Sequence, residues 1–435
     1  MRQLPLDLTD ETTQYDGTYY EKLIAVLQSD LDFHDYSSKY MTHDLHAFPA
    51  KFPPQLPQKF IRALTEAGDL VLDPMSGSGT TLLEAYLADR QIMACDIDPL
   101  ALLLSEVKVN QLSAGELLST GMEILEQATE LKINLEDELS TRYDAKTREF
   151  IDYWFQADTQ KELLALLKQI EVIEDVLVRG FFELIFSAII ITKSGGVSMA
   201  MDLAHTRPHK VKDKTPRSPF KEFEKRLKRN IRSLSDLPLH NIRPYLSRND
   251  AQSLPIQSSC VDLIVTSPPY ASNAIDYMRA HKFSLVWFGH PVDSLSKLRR
   301  EYIGGESITH FQFEDLPKTT QSIVDQIGAL DGKKGKTLAR YYSEMTRVLK
   351  EMFRVLKPDK AAIVVVGSSV MRGIDTRTHT CLSEIGEAIG FEVPEIGVRH
   401  LDRNRRMMPA RKGKKQSQIE ERMHEEYVIG FYKPL

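Results

Sequence analysis

Two short runs in this 435-residue chain combine residue types that can do chemistry. The first is Thr266-Ser-Pro-Pro-Tyr270. Its two prolines hold the backbone at φ of about −65° and remove two N–H donors. The turn can therefore offer a hydroxyl and a carbonyl as acceptors with no donor competing. An exocyclic amino group has two hydrogens and needs two such acceptors. Bonds of that kind draw the nitrogen lone pair out of conjugation and aim it at an electrophilic methyl. Tyr270 adds a flat face for a base taken out of its stack. The plain alternative is a rigid loop that happens to begin Ser-Pro-Pro.

The second run is Asp73-Pro-Met-Ser-Gly-Ser-Gly-Thr-Thr81, followed by Asp96. Gly77 and Gly79 permit a tight turn and close approach of a ligand to backbone. An acid at the end of the next strand suits ribose hydroxyls. A dinucleotide fits loosely, since Asp96 follows Gly79 by 17 residues, but Leu82 stands where the third fingerprint glycine belongs. The run is not a P-loop, because no Gly-Lys-Ser/Thr follows. Asp73 would repel a phosphate. It suits a cationic ligand better, and the sulfonium and ammonium groups of S-adenosylmethionine match that charge. A purely structural glycine turn is the remaining reading.

These runs require particular elements to hold them. Residues 69–73 (DLVLD) and 91–98 (QIMACDID) read as buried parallel strands. Helices are expected at about 19–27, 57–66, 80–89 and from Pro99 to Asn110, the last with proline at its start. Residues 260–270 give another buried strand ending in the Pro-Pro turn, and 361–367 (AAIVVVG) one more. Leu338–Leu356 is an amphipathic helix stopped by Lys357-Pro358, and 378–390 is a helix closed by glycine. Residues 391–398 and 425–433 close as a strand pair. Together these predict an α/β fold, a doubly wound sheet of about seven strands. Residues 111–243 break the rhythm with a mainly helical insertion, and 271–337 is polar and loop-rich.

With both runs in hand, the chain resembles the exocyclic-amino DNA methyltransferases, which modify cytosine N4 or adenine N6. DPMSGSGTT resembles their cofactor loop and SPPY their catalytic loop, and the match spans residues 43–110 and 248–433. The resemblance implies a Rossmann-like methyltransferase sheet and S-adenosyl-L-methionine as cofactor. It implies that Ser267 and the Pro268 carbonyl hold the target amine, with Pro269 stiffening the turn and Tyr270 stacking on the base. Serine before the prolines goes mostly with cytosine N4 in this family, and Asp or Asn with adenine N6. The cofactor residues implied are Asp73, Pro74, Ser76, Gly77, Gly79, Thr80 and Thr81 of the loop, with Asp96 and Ile97. HAFPAKFPP resembles the segment packing on the methionine end, which adds Phe48 and Lys51. Asn249-Asp250-Ala251 resembles the acid turn beside the adenine amine, which adds Asp250 and Ala251. On this reading residues 1–110 carry an N-terminal segment and the cofactor half, 111–243 a possible target-recognition insertion, and 244–435 the catalytic half. The sequence departs from the usual arrangement in where the large insertion falls, which leaves open whether 111–243 reads the bases or 271–337 carries or shares that role.

Composition then sets the partners. The chain has 56 Lys/Arg against 61 Asp/Glu, a net −5, which by itself speaks against an anionic partner. The charges are segregated, however. Residues 205–232 hold 11 Lys/Arg and 3 Asp/Glu, and residues 399–415 hold 8 Lys/Arg and one Asp. Lys210, Arg217, Lys225, Arg229, Arg403, Arg405 and Arg406 are candidate phosphate contacts on double-stranded DNA, and Asn404 can touch a base edge. A solvated charged face is the plain alternative. The polar, acidic N-terminus lacks a signal-peptide pattern. The longest apolar run, Phe181–Thr192, contains Glu183 and falls short of the roughly 20 residues of a membrane span. Three cysteines give no disulfide framework, and neither Cys95 nor Cys260 stands as a pyrimidine-carbon nucleophile would. His43 and His46 have HxxH spacing without a third ligand, so no metal is expected. A cytoplasmic, nucleoid-associated prokaryotic enzyme is expected, with room for a cognate restriction endonuclease; the sequence does not set the oligomeric state. The rival functions are adenine-N6 or RNA amine methylation, and a nucleic-acid-binding module whose site has decayed.

Overall fold

The computed structural model describes residues 15–48, 51–192, 195–201, 203, 208–271, 276–305, 308–401 and 425–435. The N-terminal helix α1 (Tyr19–Gln28) starts in a reciprocal cap between Thr18 and Glu21. It is followed by α2 (Gln55–Leu64), β1 (Leu70–Asp73), α3 (Thr80–Leu87), β2 (Gln91–Asp96) and α4 (Pro99–Val109). Six helices come next: α5 (Ala114–Glu130), α6 (Leu135–Arg142), α7 (Ala145–Trp154), α8 (Ala157–Glu171), α9 (Val176–Ile190) and α10 (Pro219–Leu234). The sheet resumes with β3 (Tyr245–Arg248) and β4 (Val261–Thr266). Then come α11 (Met278–Leu285), α12 (Val292–Glu301), α13 (Lys318–Leu330), α14 (Gly332–Val355) and β5 (Leu356–Gly367). A small ribbon, β6 (Val370–Met371) with β7 (Ile374–Asp375), precedes α15 (Thr378–Ile389), β8 (Ile396–His400) and β9 (Glu425–Lys433).

The seven-stranded sheet has the order β3-β2-β1-β4-β5-β9-β8, as a doubly wound α/β fold requires. The strands from β3 to β5 pair in parallel, whereas β9 runs antiparallel to both of its neighbours. All six residues of β4 are buried, so its apolar run lies under helices on both faces. Winding reverses between β1 and β4, and the crevice at their carboxyl ends is where such sheets bind ligands.

Three details differ from the sequence reading. The 271–337 region is not loop-rich: it carries α11, α12 and α13. Phe283 and Trp287 at α11 join Phe155 and Phe186 of the 111–243 helices in one buried cluster. Polar surface positions hid those short apolar faces. Secondly, Pro358 does not separate helix from strand, because β5 begins directly at Leu356. A register irregularity in the β4–β5 pairing accommodates a proline that cannot donate to the ladder. Thirdly, β8 starts only at Ile396; Glu392 makes a single bridge to Tyr432, and Pro394 then follows without an N–H. Among the described residues no helix is long and apolar enough to cross a membrane.

Candidate active site

The two chemical runs lie at adjacent strand ends. Asp73 closes β1 and Thr266 closes β4, and the Thr266 hydroxyl donates to Asp73 Oδ1 at 2.7 Å. The Thr81 hydroxyl donates to the Val265 carbonyl at 3.1 Å, tying the start of α3 to the same strand. Between them the chain turns through Gly77 (φ 49°) and Gly79 (φ 69°), left-handed positions that favour glycine. A side chain at position 79 would also run into Ser105, whose Oγ lies 2.8 Å from where its Cβ would be. The turn is held from the side as well: Gly77 N–H donates to Asp96 Oδ2 at 2.8 Å, and Asp98 N–H to Asp96 Oδ1 at 2.9 Å.

A pocket opens over this crevice. Phe48, Pro74, Gly77, Asp96, Ile97, Asp250, Ala251, Ser267 and Pro269 line it, from segments more than 200 residues apart in sequence. Thus a residue from each sequence motif faces one cavity. Others of the predicted set stand behind the wall. Asp73, Ser76, Thr80 and Thr81 are buried and bond to protein groups, Ser76 to Ser105 and Thr80 to Ser78 among them. The Lys51 ammonium donates to the His43 carbonyl at 2.8 Å and does not line the pocket. Pro268 is buried, and Tyr270 packs against the core on the α14 side with its hydroxyl donating to Glu426 Oε1 at 2.8 Å. Asp250 accepts from the Gln252 N–H at 2.9 Å, which closes a local turn.

Several lining residues carried no signal in the sequence. Glu301, Tyr277, Tyr302 and Ile303 come from the 271–337 region, and Asp98 and Ala101 from the start of α4; Met75 and Asn249, inside the cofactor-loop run and the Asn249-Asp250-Ala251 turn, line it too. The Phe48 ring stacks on Tyr277, with centroids 5.1 Å apart. Asp98 caps α4 by accepting from Leu100 N–H at 2.8 Å. Its other oxygen takes His281 Nδ1 at 2.6 Å and the Tyr302 hydroxyl at 2.7 Å. Asp98 before Pro99 is readable as a helix cap, but no local pattern announces His281 or Tyr302 as its partners.

Three acids at one crevice cannot share one electrostatic state. Burial pushes Asp73 up to about 6, against the opposing hydrogen bonds from Thr266 and Met75. Burial and then the neighbouring Asp98 charge push Asp96 up to about 7. Burial also acts upward on Asp98, but His281, Tyr302 and Leu100 outweigh it and hold its carboxyl low. The pocket thus joins an apolar wall, for a flat heterocycle, to carboxylates that accept hydroxyls and favour positive charge. Those features fit S-adenosyl-L-methionine. Among the described residues no group of three or more His, Cys, Asp or Glu is arranged to hold a metal ion. His43 Nε2 lies 2.7 Å from Glu84 and His46 Nε2 lies 2.9 Å from Ser187, so the two rings have different partners.

The basic blocks divide. Lys225 is exposed on α10, Arg229 pairs with Asp44, and Arg217 lies 3.4 Å from Glu222. Lys210 sits 4.3 Å above the Tyr153 ring. Arg403, Asn404, Arg405 and Arg406 lie outside the described residues.

A family model described as DNA methylase, for the N6/N4 methyltransferases, matches residues 11–106. Type II methyltransferase M.MvaI of Kocuria varians is 25% identical over 378 residues, 82% of this chain and 83% of that protein. M.MjaII of Methanocaldococcus jannaschii is 31% identical over 147 residues, 33% of this chain and 28% of its own. Over 55 residues, 13% of this chain and 16% of its own, M.PvuII of Proteus hauseri is 46% identical. Among solved structures, a methyltransferase dependent on S-adenosylmethionine from Methanosarcina mazei aligns with 86% of this chain and 98% of its own. That alignment has 12% identity and a TM-score of 0.30, and the fold assignment rests on the sheet order instead.

Proposed function

We propose that this chain, which belongs to the exocyclic-amino DNA methyltransferases and uses S-adenosyl-L-methionine, methylates the N4 amine of cytosine in duplex DNA after turning the base out of its stack. The observation that carries this reading is that Ser267 and Pro269 open onto the same pocket as Gly77 and Asp96. When bound, the cofactor supplies a methyl group on a positively charged sulfur. Asp96 would accept from ribose hydroxyls, Phe48 and Ile97 would give the apolar wall, and the Asp250 turn would accept from the heterocycle's amine. The Ser267 hydroxyl and Pro268 carbonyl accept the two hydrogens of the target amine. That geometry removes the nitrogen lone pair from conjugation with the ring and leaves it free to attack. The methylated nitrogen then loses its surplus proton to solvent. Serine at position 267, in place of Asp or Asn, favours cytosine N4 over adenine N6.

Exposed Lys225, with Lys210, Arg217 and Arg229 nearby in sequence, provides phosphate contacts that position the duplex without reading it. The Type II names of the relatives support a cognate restriction endonuclease as a partner in the same cell.

The test is product analysis. Unmethylated duplex DNA is incubated with the protein and methyl-labelled cofactor, digested, and its nucleosides are weighed by mass spectrometry. N4-methylcytosine is expected. N6-methyladenine would overturn the base assignment, and label entering RNA but not DNA would overturn the substrate. Ser267→Ala should lower transfer at least a hundredfold while calorimetry still shows cofactor binding; undiminished transfer sinks the assigned role of Ser267.

A further inference from the structure

Glu426 is the second residue of β9, at the sheet end where the catalytic loop emerges. It is largely buried, and both of its oxygens are engaged. Oε1 accepts the Tyr270 hydroxyl at 2.8 Å, and Oε2 meets the Arg399 guanidinium. Arg399 is its register partner on β8, so the ion pair is built across two adjacent strands. Both side chains are nearly closed to solvent, at 11% and 12% exposed, which shields the pair from screening.

We propose that Glu426 is a positioning residue for methyl transfer: its carboxylate, fixed by Arg399, holds the hydroxyl of Tyr270, which adjoins the cofactor pocket without lining it, and so fixes the ring for stacking on the target base. This rests on the reading of Tyr270 as the stacking residue. A tyrosine ending a Pro-Pro turn is free to rotate about two side-chain bonds, and each alternative rotamer would withdraw its ring from the base. A phenol bonded to a carboxylate is held by a charge-assisted bond, stronger than one to a neutral acceptor. Burial and the adjoining Glu426 charge also push the Tyr270 phenol well above its ordinary range, so it remains a donor. Packing of the same ring against the α14-side core fixes it at a second point. The clamp is not local in sequence, because 156 residues separate its two members.

The experiment compares the full chain with Tyr270→Phe, Glu426→Ala and the double variant, in single-turnover methyl transfer to unmethylated duplex DNA. Total label transferred is read, so the rates do not depend on which base is modified. Tyr270→Phe keeps the ring and the Glu426–Arg399 pair and removes the phenol's bonds to Glu426 and to Ser267, so the comparison with Glu426→Ala isolates the clamp. A rate loss of about tenfold is expected for it, equal to about 1.4 kcal/mol. The double variant should be no slower than Glu426→Ala alone, since one clamp cannot be lost twice. Cofactor affinity by calorimetry and KM for DNA should stay within about twofold, so that the loss appears in the rate of transfer. Wild-type rates in Tyr270→Phe, or multiplying losses in the double variant, would overturn the proposal. Should Glu426→Ala fail to fold, Glu426→Gln replaces it: a wild-type rate in Glu426→Gln, or losses that multiply when Tyr270→Phe is added, would overturn the proposal. Nucleoside analysis of the same reactions separates the two readings: N6-methyladenine in the product removes the cytosine assignment and leaves the clamp ratios intact.

Discussion

The two walls of the pocket are built by different means. One is made of strand ends: Pro74, Gly77, Asp96 and Ile97 fall within 24 residues, and backbone N–H groups hold Asp96 in place. The other is made of side chains delivered from the 271–337 region, Tyr277, Tyr302 and Ile303. Asp98 joins them, since it caps α4 on one side and accepts from His281 and Tyr302 on the other. The contrast shows where the site is vulnerable. The strand-end wall also has backbone-to-backbone support, from the β1–β2 pairing and from the bonds of Ser76 N–H to the Cys95 carbonyl and of Gly79 N–H to the Ser76 carbonyl. The distant wall has no strand behind it: one carboxylate, Asp98, ties it to α4, helped by the Phe48–Tyr277 stack and the Gly304 N–H bond to Glu344.

The sharpest way to break this contrast is Asp98→Ala. It removes a helix cap and leaves the buried His281 and Tyr302 donors without an acceptor. Each such loss costs about 1–3 kcal/mol, so urea denaturation should show about 3–5 kcal/mol of lost stability. A loss below about 1 kcal/mol would mean that the distant wall holds itself by packing alone. Asp96→Ala comes next, and acts on the other wall. Backbone turns should keep the fold, while two hydroxyl acceptors are lost from the pocket. Calorimetry should record about a hundredfold weaker cofactor binding, equivalent to about 2.7 kcal/mol. Unchanged affinity would remove Asp96 from the cofactor set. Tyr302→Phe is milder, because Asp98 retains His281 and Leu100 as donors. It should cost about 0.5–1.5 kcal/mol in denaturation and only a few-fold in cofactor affinity. An effect as large as that of Asp98→Ala would place the whole distant wall on one phenol.

The same contrast explains what was legible. DLVLD followed by MSGSGTT and then QIMACDID is a strand–turn–helix–strand pattern set by local sterics and by the apolar period. The sheet and the strand-end wall could therefore be read from consecutive letters. SPPY was readable for a like reason, since two prolines restrict a turn wherever they stand. The His281–Asp98 pair spans 183 residues and Tyr270–Glu426 spans 156, and both arise only once the helices have packed. Histidine in MRAHKFSL and glutamate in EEYVIG are ordinary residues in their own neighbourhoods. Lys51 shows the converse: a basic residue in a Pro-rich run resembles a ligand contact, and its bond to the His43 carbonyl could not be read from the run. The helices of 271–337 escaped notice because their apolar residues are few and serve cores supplied mainly by other segments, the 111–243 helices for α11 and α12 and α14 for α13.

The smallest expected effect is a dependence on pH, and its sign separates Asp96 from Asp98. Asp96 is pushed up to about 7 and Asp73 up to about 6 in the folded chain, against about 3.9 for an unfolded aspartate. Between about pH 4 and 7 the native state therefore binds more protons than the unfolded one, and stability falls as pH rises through that window. Asp98 is held low, so its contribution is present above about pH 4 and is lost only as pH falls through its folded value. Lowering the pH from 8 to 6 should thus raise the melting temperature of the ligand-free protein by a few degrees. Asp96→Asn should remove its own share of that rise and leave those of Asp73 and of Glu84, which burial also pushes up to about 7. Cofactor affinity should move the other way, because a protonated Asp96 has lost acceptor capacity for the ribose hydroxyls. Stability and affinity should then show opposite slopes between pH 6 and 8. A melting curve in Asp96→Asn that still rises as steeply as the wild type would assign the titration to another group and release Asp96 from the strand-end wall's electrostatics.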